Sequence, residues 1–415
     1  MGRRKNIGES DVSKPLEGVK IVELAMWAFV PSAGGILSDM GASVIKIEPP
    51  AGDPIRALTT HGMRPDDAPF NLSFESYNRG KRSITMDLKL AGSLPVLDRL
   101  LEDADVFLTN ILPSSRRKMG VDIDQIRERH PHIIYAVGSG TGLAGPDRDK
   151  GGYDQITYWS RGGVAQAVTP ADQPYPQMMP SAAYGDTTSG SMLAGAIAAA
   201  LYRKAKTGEG AVVDVSLLGA SMWTMQGHIT QAIFTGVDEL PKRQRTGMPN
   251  PLVNCYKTSD DRFVALCMMQ REHYWPGFCR AIGHPELADD PRFLAEEAIR
   301  KNLSECVAIL DEIFAKRPLA EWMDILATQD GQWDVVKKPG ELQHDPQVLA
   351  NHFLQPVDYG GGMVLNVVST PMRFDQQPFA ARPAPAPGEH NDEVLGELGY
   401  NEDEIIGLKV AGIIF

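Results

Sequence analysis

Val19-Lys20-Ile21-Val22-Glu23-Leu24, then Ala33 to Met40, then Ser43-Val44-Ile45-Lys46-Ile47 are the three runs whose reading decides the fold class. The outer two read as strands, rich in β-branched and apolar residues, and the run between them has helical spacing. Further strand-like runs follow at Ser83 to Leu88, Val106 to Thr109, Ile133 to Val137 and Val212 to Leu217, with helical stretches such as Leu94 to Leu101 between them. This alternation predicts an α/β fold, a Rossmann-like parallel sheet with helices on both faces.

The texture changes after Thr235. Gly236 to Asn250 is polar, partly basic and punctuated by prolines, which reads as a linker. Beyond it, Cys255 to Met269 predicts a hairpin about Ser259-Asp260-Asp261, followed by helices around Tyr274 to Ile282, Leu303 to Phe314 and Leu319 to Leu326. After His352 come a strand-like run at Met363 to Val368, a proline-rich stretch from Pro378 to Pro387, and helical Asp392 to Leu398 and Glu402 to Leu408. A chain of 415 residues exceeds what one core usually organises. The expected division is a large domain over 1–235, a linker over 236–250, a small α+β domain over 251–352, and a return segment over 353–415 that packs on the large domain.

A formal charge of −12 argues against nucleic acid or an anionic membrane as partner and favours a small soluble one. A few local cations still suffice for a phosphorylated ligand. Met1-Gly2-Arg3-Arg4-Lys5-Asn6 lacks the apolar run of a secretory signal, and Asn6 stands where myristoylation wants Ser or Thr. The longest apolar stretch ends at Tyr202-Arg203-Lys204, too short to span a bilayer, so the expected location is the cytoplasm. Cys255, Cys267, Cys279 and Cys306 form no C-x-x-C pair, which predicts buried reduced thiols, no disulfide and no bound metal.

Chemistry concentrates at Tyr184-Gly185-Asp186-Thr187-Thr188-Ser189-Gly190, which runs straight into the apolar stretch Met192 to Leu201. The pattern places one carboxylate at a glycine hinge before a helix, where free N–H groups and the positive end of the dipole favour an anion. Two readings stand side by side: a reactive carboxylate, or a plain helix N-cap. Gly140-Thr141-Gly142-Leu143-Ala144-Gly145 matches G-x-G-x-x-G, but Pro146 to Gly152 continues as loop where a dinucleotide site opens a helix, so the NAD reading is rejected. Gly360-Gly361-Gly362 reads as a turn. No histidine pair has metal-site spacing, and neither Ser189 nor Ser216 lies in a G-x-S-x-G elbow. Arg79-Gly80-Lys81-Arg82 and Arg116-Arg117-Lys118 adjoin strands, where they meet either phosphates or solvent.

In order and spacing these segments resemble the class III coenzyme A transferases, a family that includes formyl-CoA and carnitine-CoA transferases and alpha-methylacyl-CoA racemases. The resemblance rests on Pro15 to Leu24, Gly41 to Pro50, Asn78 to Ile84, Gly185-Asp186, Thr207 to Leu218, and Gly388-Glu389-His390 with Glu397 to Tyr400. It implies that Asp186 attacks an acyl-CoA thioester and carries coenzyme A as an aspartyl thioester on its way to a free carboxylic acid. Coenzyme A is then a substrate and no permanently bound cofactor is implied. Gly138 and Gly140 are implied to position the thioester or its oxyanion, with Tyr153 beside them. The implied coenzyme contacts are Trp27, Ala28, Lys81, Arg82, Asn110, Ile111, Lys118, Met119 and Asp154.

The chain departs from the family pattern at several places. Ile111 replaces a usual aromatic and Lys118 a usual arginine. Ala28 and Pro49 stand where formyl-CoA transferases have Gln and Arg, and their glycine-rich flap is not evident at Gly247-Met248-Pro249-Asn250, which disfavours oxalate. The racemase branch pairs its aspartate with a histidine in Gly-His-Asp, whereas this chain reads Gly152-Tyr153-Asp154. A tyrosine with a pKa of ~10 is a poor neutral-pH base, so transfer is preferred to racemisation. A catalytically idle coenzyme A-binding protein is a second alternative, against which Asp186 counts. The resemblance also implies an interlocked homodimer of ring-shaped chains, with an acyl pocket drawn from Trp27, Tyr153 and the Asn250 to Asn254 region.

Overall fold

A computed structural model of the chain describes residues 14–58, 70–242, 244–247 and 250–415. The basic start at Met1 to Asn6 and the Met248-Pro249 part of the flap lie outside the described residues.

Six parallel strands form the central sheet in the order β3-β2-β1-β4-β5-β6: β1 Lys20–Leu24, β2 Ser43–Glu48, β3 Arg82–Thr85, β4 Val106–Thr109, β5 Ile134–Ser139 and β6 Ala211–Ser216. The expected sheet is therefore present, and its strand order reverses between β1 and β4. Ligands in open α/β sheets bind beyond the carboxyl ends of the strands at such a reversal. Successive side chains leave opposite faces of a strand, and the two cores divide accordingly. Ile21, Val44, Leu108 and Ile134 pack with helices α1 (Phe29–Asp39) and α7 (Tyr184–Thr207) on one face. Val22, Ile47, Phe107 and Tyr135 pack with α3 (Ser93–Glu102), α5 (Ile123–Arg129) and the tail helices Asn391–Glu397 and Glu402–Val410 on the other.

The remaining helices of this part are α2 (Leu72–Asn78), α4 (Pro113–Met119), α6 (Val164–Val168), α8 (Leu217–Thr224) and α9 (Gln226–Thr235). A π-helical turn spans Gln155–Arg161. Helix α1 opens at Phe29, ahead of the expected Ala33, because Pro31 in a first turn gives up only an N–H that has no helical partner. Strand β3 stops at Thr85 and not at Leu88. The Met86 N–H still donates to the Glu48 carbonyl at 2.8 Å, but Met86 forms an antiparallel bridge with Ile414 and the Asp87 N–H donates to the Ile413 carbonyl, so the chain's end covers the sheet edge there.

Contacts divide the chain into two compact units. The first runs to Ala167, resumes over Gln177–Asp238 and takes in Gln347–Phe415; the second comprises Val168–Pro176 and Glu239–Pro346. The second unit holds an antiparallel sheet of β7 (Val253–Lys257), β8 (Phe263–Cys267) and β9 (Trp333–Val335), with Cys255 opposite Ala265 in the expected hairpin. Trp275, Phe278, Phe314 and Trp322 form its core with helices Arg271–Ala281, Glu296–Phe314 and Leu319–Leu326. Cys279 and Cys306 are buried as expected, but Cys255 and Cys267 are exposed, since both lie at outward positions of the hairpin. In the returning segment β10 (Leu354–Asp358) pairs antiparallel with β11 (Val364–Val368). No described helix is long and apolar enough to cross a membrane.

Candidate functional site

Helix α7 begins without a side-chain cap of its own. Its N-cap residue, Ala183, is left-handed at φ +61°, and the hydroxyls of Thr187, Thr188 and Ser189 donate backwards to the carbonyls of Ala183, Tyr184 and Gly185. The free N–H groups of the first turn are met from a different segment. Both Asp154 oxygens accept from the Gly185 N–H, at 3.0 and 3.2 Å, and the Asp186 N–H lies within reach of the same carboxylate. A side chain at position 185 would collide with this arrangement, because its Cβ would stand 2.5 Å from Asp154 Oδ1 and 2.2 Å from Tyr158 Cγ.

The capping role therefore belongs to Asp154, and Asp186 is not the N-cap. Half-buried in the first turn, Asp186 lines a cavity of about 320 Å³. Burial and the neighbouring Asp154 charge push its pKa up to about 7. Asp154 is itself raised by burial, against the pull of the two N–H groups. Half-buried Tyr77 feels both carboxylates; burial first, then their charges, push its phenol up to about 12, so at neutral pH it is a neutral hydrogen-bond donor.

The cavity opens beyond the carboxyl ends of β1, β4 and β5. Trp27, Asn110, Ile111, Gly138, Gly140 and Tyr153 all line it with Asp186. Trp27 meets Tyr153 edge-on, ring centroids 5.7 Å apart. A Cβ at Gly140 would lie 2.8 Å from Gly152 Cα, so only glycine lets these two loop backbones touch. Gly138, still in register with Val215 of β6, has no room either, since its Cβ would stand 2.2 Å from Val30 Cγ2. No helix opens at Gly140 to Gly145, in keeping with the rejected dinucleotide reading. Among the described residues no histidine lines the cavity.

Several expected coenzyme contacts lie elsewhere. Lys81 has a fully buried side chain whose ammonium is held by both Glu23 oxygens, the Pro31 carbonyl and Asn78 Oδ1, leaving it no room for a phosphate. Its burial, partly offset by Glu23, lowers its pKa to about 8. Arg82 turns to Glu393 and Glu397 of the tail at 2.9 and 2.7 Å. Ala28 is buried beneath Trp27 in a small cluster with Ile55 and Phe74. Lys118 is exposed at the end of α4, and Met119 packs into the second core.

The cations at the cavity are Arg116, Arg148 and Lys150. Arg116 is committed to Asp122 at 3.0 Å, whereas Arg148 and Lys150 are exposed on the loop after β5. The sequence places Asp147-Arg148-Asp149-Lys150 directly behind the glycine loop, in the segment read only as a loop.

Comparison with known proteins agrees with this architecture. The sequence model of CoA-transferase family III matches residues 16–391. The chain is 34% identical to (R)-2-hydroxy-4-methylpentanoate CoA-transferase of Clostridioides difficile, over 96% of this chain and 99% of the relative. It is 32% identical to cinnamoyl-CoA:phenyllactate CoA-transferase of Clostridium sporogenes, over 94% and 95%. A crystal structure of a CAIB/BAIF family protein from Brucella suis superposes with a TM-score of 0.80 at 27% identity, covering 93% of this chain and 99% of that one.

Proposed function

The chain belongs to CoA-transferase family III, and from that premise we propose that it moves coenzyme A from an acyl-CoA donor to a free carboxylic acid through an aspartyl-CoA thioester on Asp186. One observation carries the reading: Asp154 takes over the helix cap, so the Asp186 carboxylate lines the cavity with no hydrogen-bond partner for its oxygens among the described residues.

The steps balance without any redox partner. A carboxylate oxygen of Asp186 attacks the donor's thioester carbonyl and the coenzyme A thiolate leaves, giving a mixed anhydride. The thiolate then attacks the Asp186 carbonyl carbon, the C–O bond breaks, and the donor acid departs as a carboxylate. An acceptor carboxylate repeats the sequence in reverse and restores Asp186. Each tetrahedral intermediate places negative charge on oxygen, and we assign its reception to the backbone of Gly138 to Gly140, which lines the cavity. Arg148 and Lys150 are the cations we assign to the coenzyme's phosphates, in place of Lys81 and Arg82. Racemisation needs a base on each face of the α carbon, and no described histidine stands at the cavity to supply the second.

The test is to incubate the protein with acyl-CoA donors and then trap with hydroxylamine. Peptide mass spectrometry is expected to find the hydroxamate at Asp186, and exchange is expected with acids that include (R)-2-hydroxy-4-methylpentanoate and phenyllactate. Epimerisation without exchange would favour a racemase, and binding without either an idle coenzyme A-binding protein.

We also propose the interlocked homodimer. Helix α9 has no buried residue, with Phe234 90% and Ile233 75% exposed, an extent of apolar surface expected to be covered by a second copy. Light scattering is expected to report twice the chain mass of 45.3 kDa; a fully active monomer would refute this part.

A further inference from the structure

Between β1 and α1 the backbone of Ala25, Met26 and Trp27 turns with side chains from elsewhere taking up its polar groups. The Ala25 carbonyl accepts from Lys46 Nζ at 2.7 Å. The Asn110 amide clasps both sides of Met26, accepting from its N–H at 3.1 Å and donating to its carbonyl at 2.6 Å. The Trp27 N–H donates to Asp53 Oδ1 at 3.1 Å. At Trp27 φ is +69°, a left-handed conformation that disfavours a bulky residue and persists only where the surroundings impose it.

The clamp is itself anchored. Lys46, its side chain fully buried, approaches Glu23 Oε1 at 3.3 Å and Asp53 Oδ2 at 3.0 Å, the latter as an ion pair not aligned as a hydrogen bond. Burial opposes the ammonium's charge, but Glu23, Asp53 and Glu48 outweigh it and raise the Lys46 pKa. The Asp53 N–H donates to Glu48 Oε2 at 3.0 Å, and Arg56 holds both Glu48 oxygens at 2.8 and 2.7 Å. Buried ion groups seldom return their desolvation cost as net stability, so specification of one conformation is the better account of this network. What it specifies is the place of the Trp27 indole in the cavity that Asp186 lines.

We propose that Asp53, Lys46 and Asn110 are positioning residues for the transfer reaction: they hold the Ala25 to Trp27 turn in its strained form and so fix the Trp27 indole as a wall of the reaction cavity against Tyr153. The proposal rests on the reading of Asp186 as the covalent site. Asp53 and Lys46 have no direct role in the chemistry, and Asn110, which also lines the cavity, enters here through its hold on Met26; all three act through Trp27, and the consequence is felt in kcat more than in coenzyme affinity.

The experiment labels the protein with 5-fluorotryptophan, assigns the Trp27 fluorine resonance with Trp27→Phe, and follows it beside kcat and KM. Asp53→Ala is expected to shift or broaden that resonance in the resting protein and to lower kcat about 10- to 100-fold, the scale of a 1 Å misplacement. Asp53→Asn keeps an oxygen for the Trp27 N–H and is expected to recover both. In a Trp27→Gly background, where glycine adopts positive φ freely, Asp53→Ala is expected to change kcat by less than about twofold. An unmoved resonance in Asp53→Ala, or an equal kcat loss with and without Trp27, would overturn the proposal. Should Asp53→Ala fail to fold, Asp53→Ser, whose shorter side chain keeps a hydroxyl as N-cap for Ile55 but no carboxylate for the Trp27 N–H, is judged by the same two outcomes. The fluorine readout needs no substrate, so absence of an Asp186 thioester in the wild type would refute the transfer reading while the clamp is still tested.

Discussion

Asp186→Asn is expected to abolish coenzyme A transfer, by roughly 10⁴-fold or more, and at the same time to make the fold more stable above neutral pH. The first effect follows from loss of the nucleophile, because an amide oxygen cannot form the anhydride. The second follows from the pKa. A carboxyl group held at about 7 when folded, against an ordinary 3.8, keeps its proton in the native state over a range where the unfolded chain has already lost it. Stability is therefore full below the unfolded pKa, declines as pH rises from 3.8 to about 7, and stays low above that. At 1.36 kcal/mol per unit the penalty is at most about 4 kcal/mol, and nearer about 2 for a half-buried group that solvent and the helix dipole partly relieve. Denaturant unfolding at about pH 8 and about pH 4 checks it: the variant is expected to gain over wild type at the higher pH and not at the lower. Equal stability at both would refute the buried, charge-repelled state of Asp186. Retained transfer would refute its covalent role.

The split between legible and illegible parts of this protein follows the range of the interactions involved. Strand and helix patterns are written in local periodicity, which is why β1, β2, β4, β5 and β6 lie where the spacing puts them. Asp186 was conspicuous for the same local reason, yet the competing cap reading could not be resolved from its own segment. The residue that resolves it, Asp154, is 32 positions away by number, and only the folded chain brings its carboxylate to the Gly185 N–H. Charge misled where position was local but destination was not: Lys81 serves Glu23 inside the sheet, and Arg82 serves the tail. Arg148 and Lys150 lie in a segment that reads only as a loop, because nothing in a loop's sequence says that it folds over a cavity. The π-turn at Gln155–Arg161 left no periodic trace, being a single turn.

Asp154 is where the next largest effect is expected, and two substitutions separate its two duties. In Asp154→Asn the side chain keeps an oxygen for the Gly185 N–H but loses its charge. Burial, the larger cause of the raised Asp186 pKa, remains, while the smaller cause, repulsion by Asp154, is removed. The acid limb of the pH–rate profile, which follows ionisation of Asp186, is thus expected to move from about 7 to lower pH with the plateau rate little changed. Asp154→Ala removes the cap as well. Two N–H groups then lack an acceptor, at a cost of about 1–3 kcal/mol, and the nearest replacement is the carboxylate of Asp186 in the same turn. Drawn back onto the helix end, that carboxylate leaves the cavity, and the transfer rate is expected to fall roughly 100-fold at every pH. An Asn variant with an unmoved acid limb would show that Asp154 exerts no charge on Asp186. An Ala variant as fast as wild type would show that the nucleophile needs no substitute cap, and the account of how Asp186 is kept available would fail.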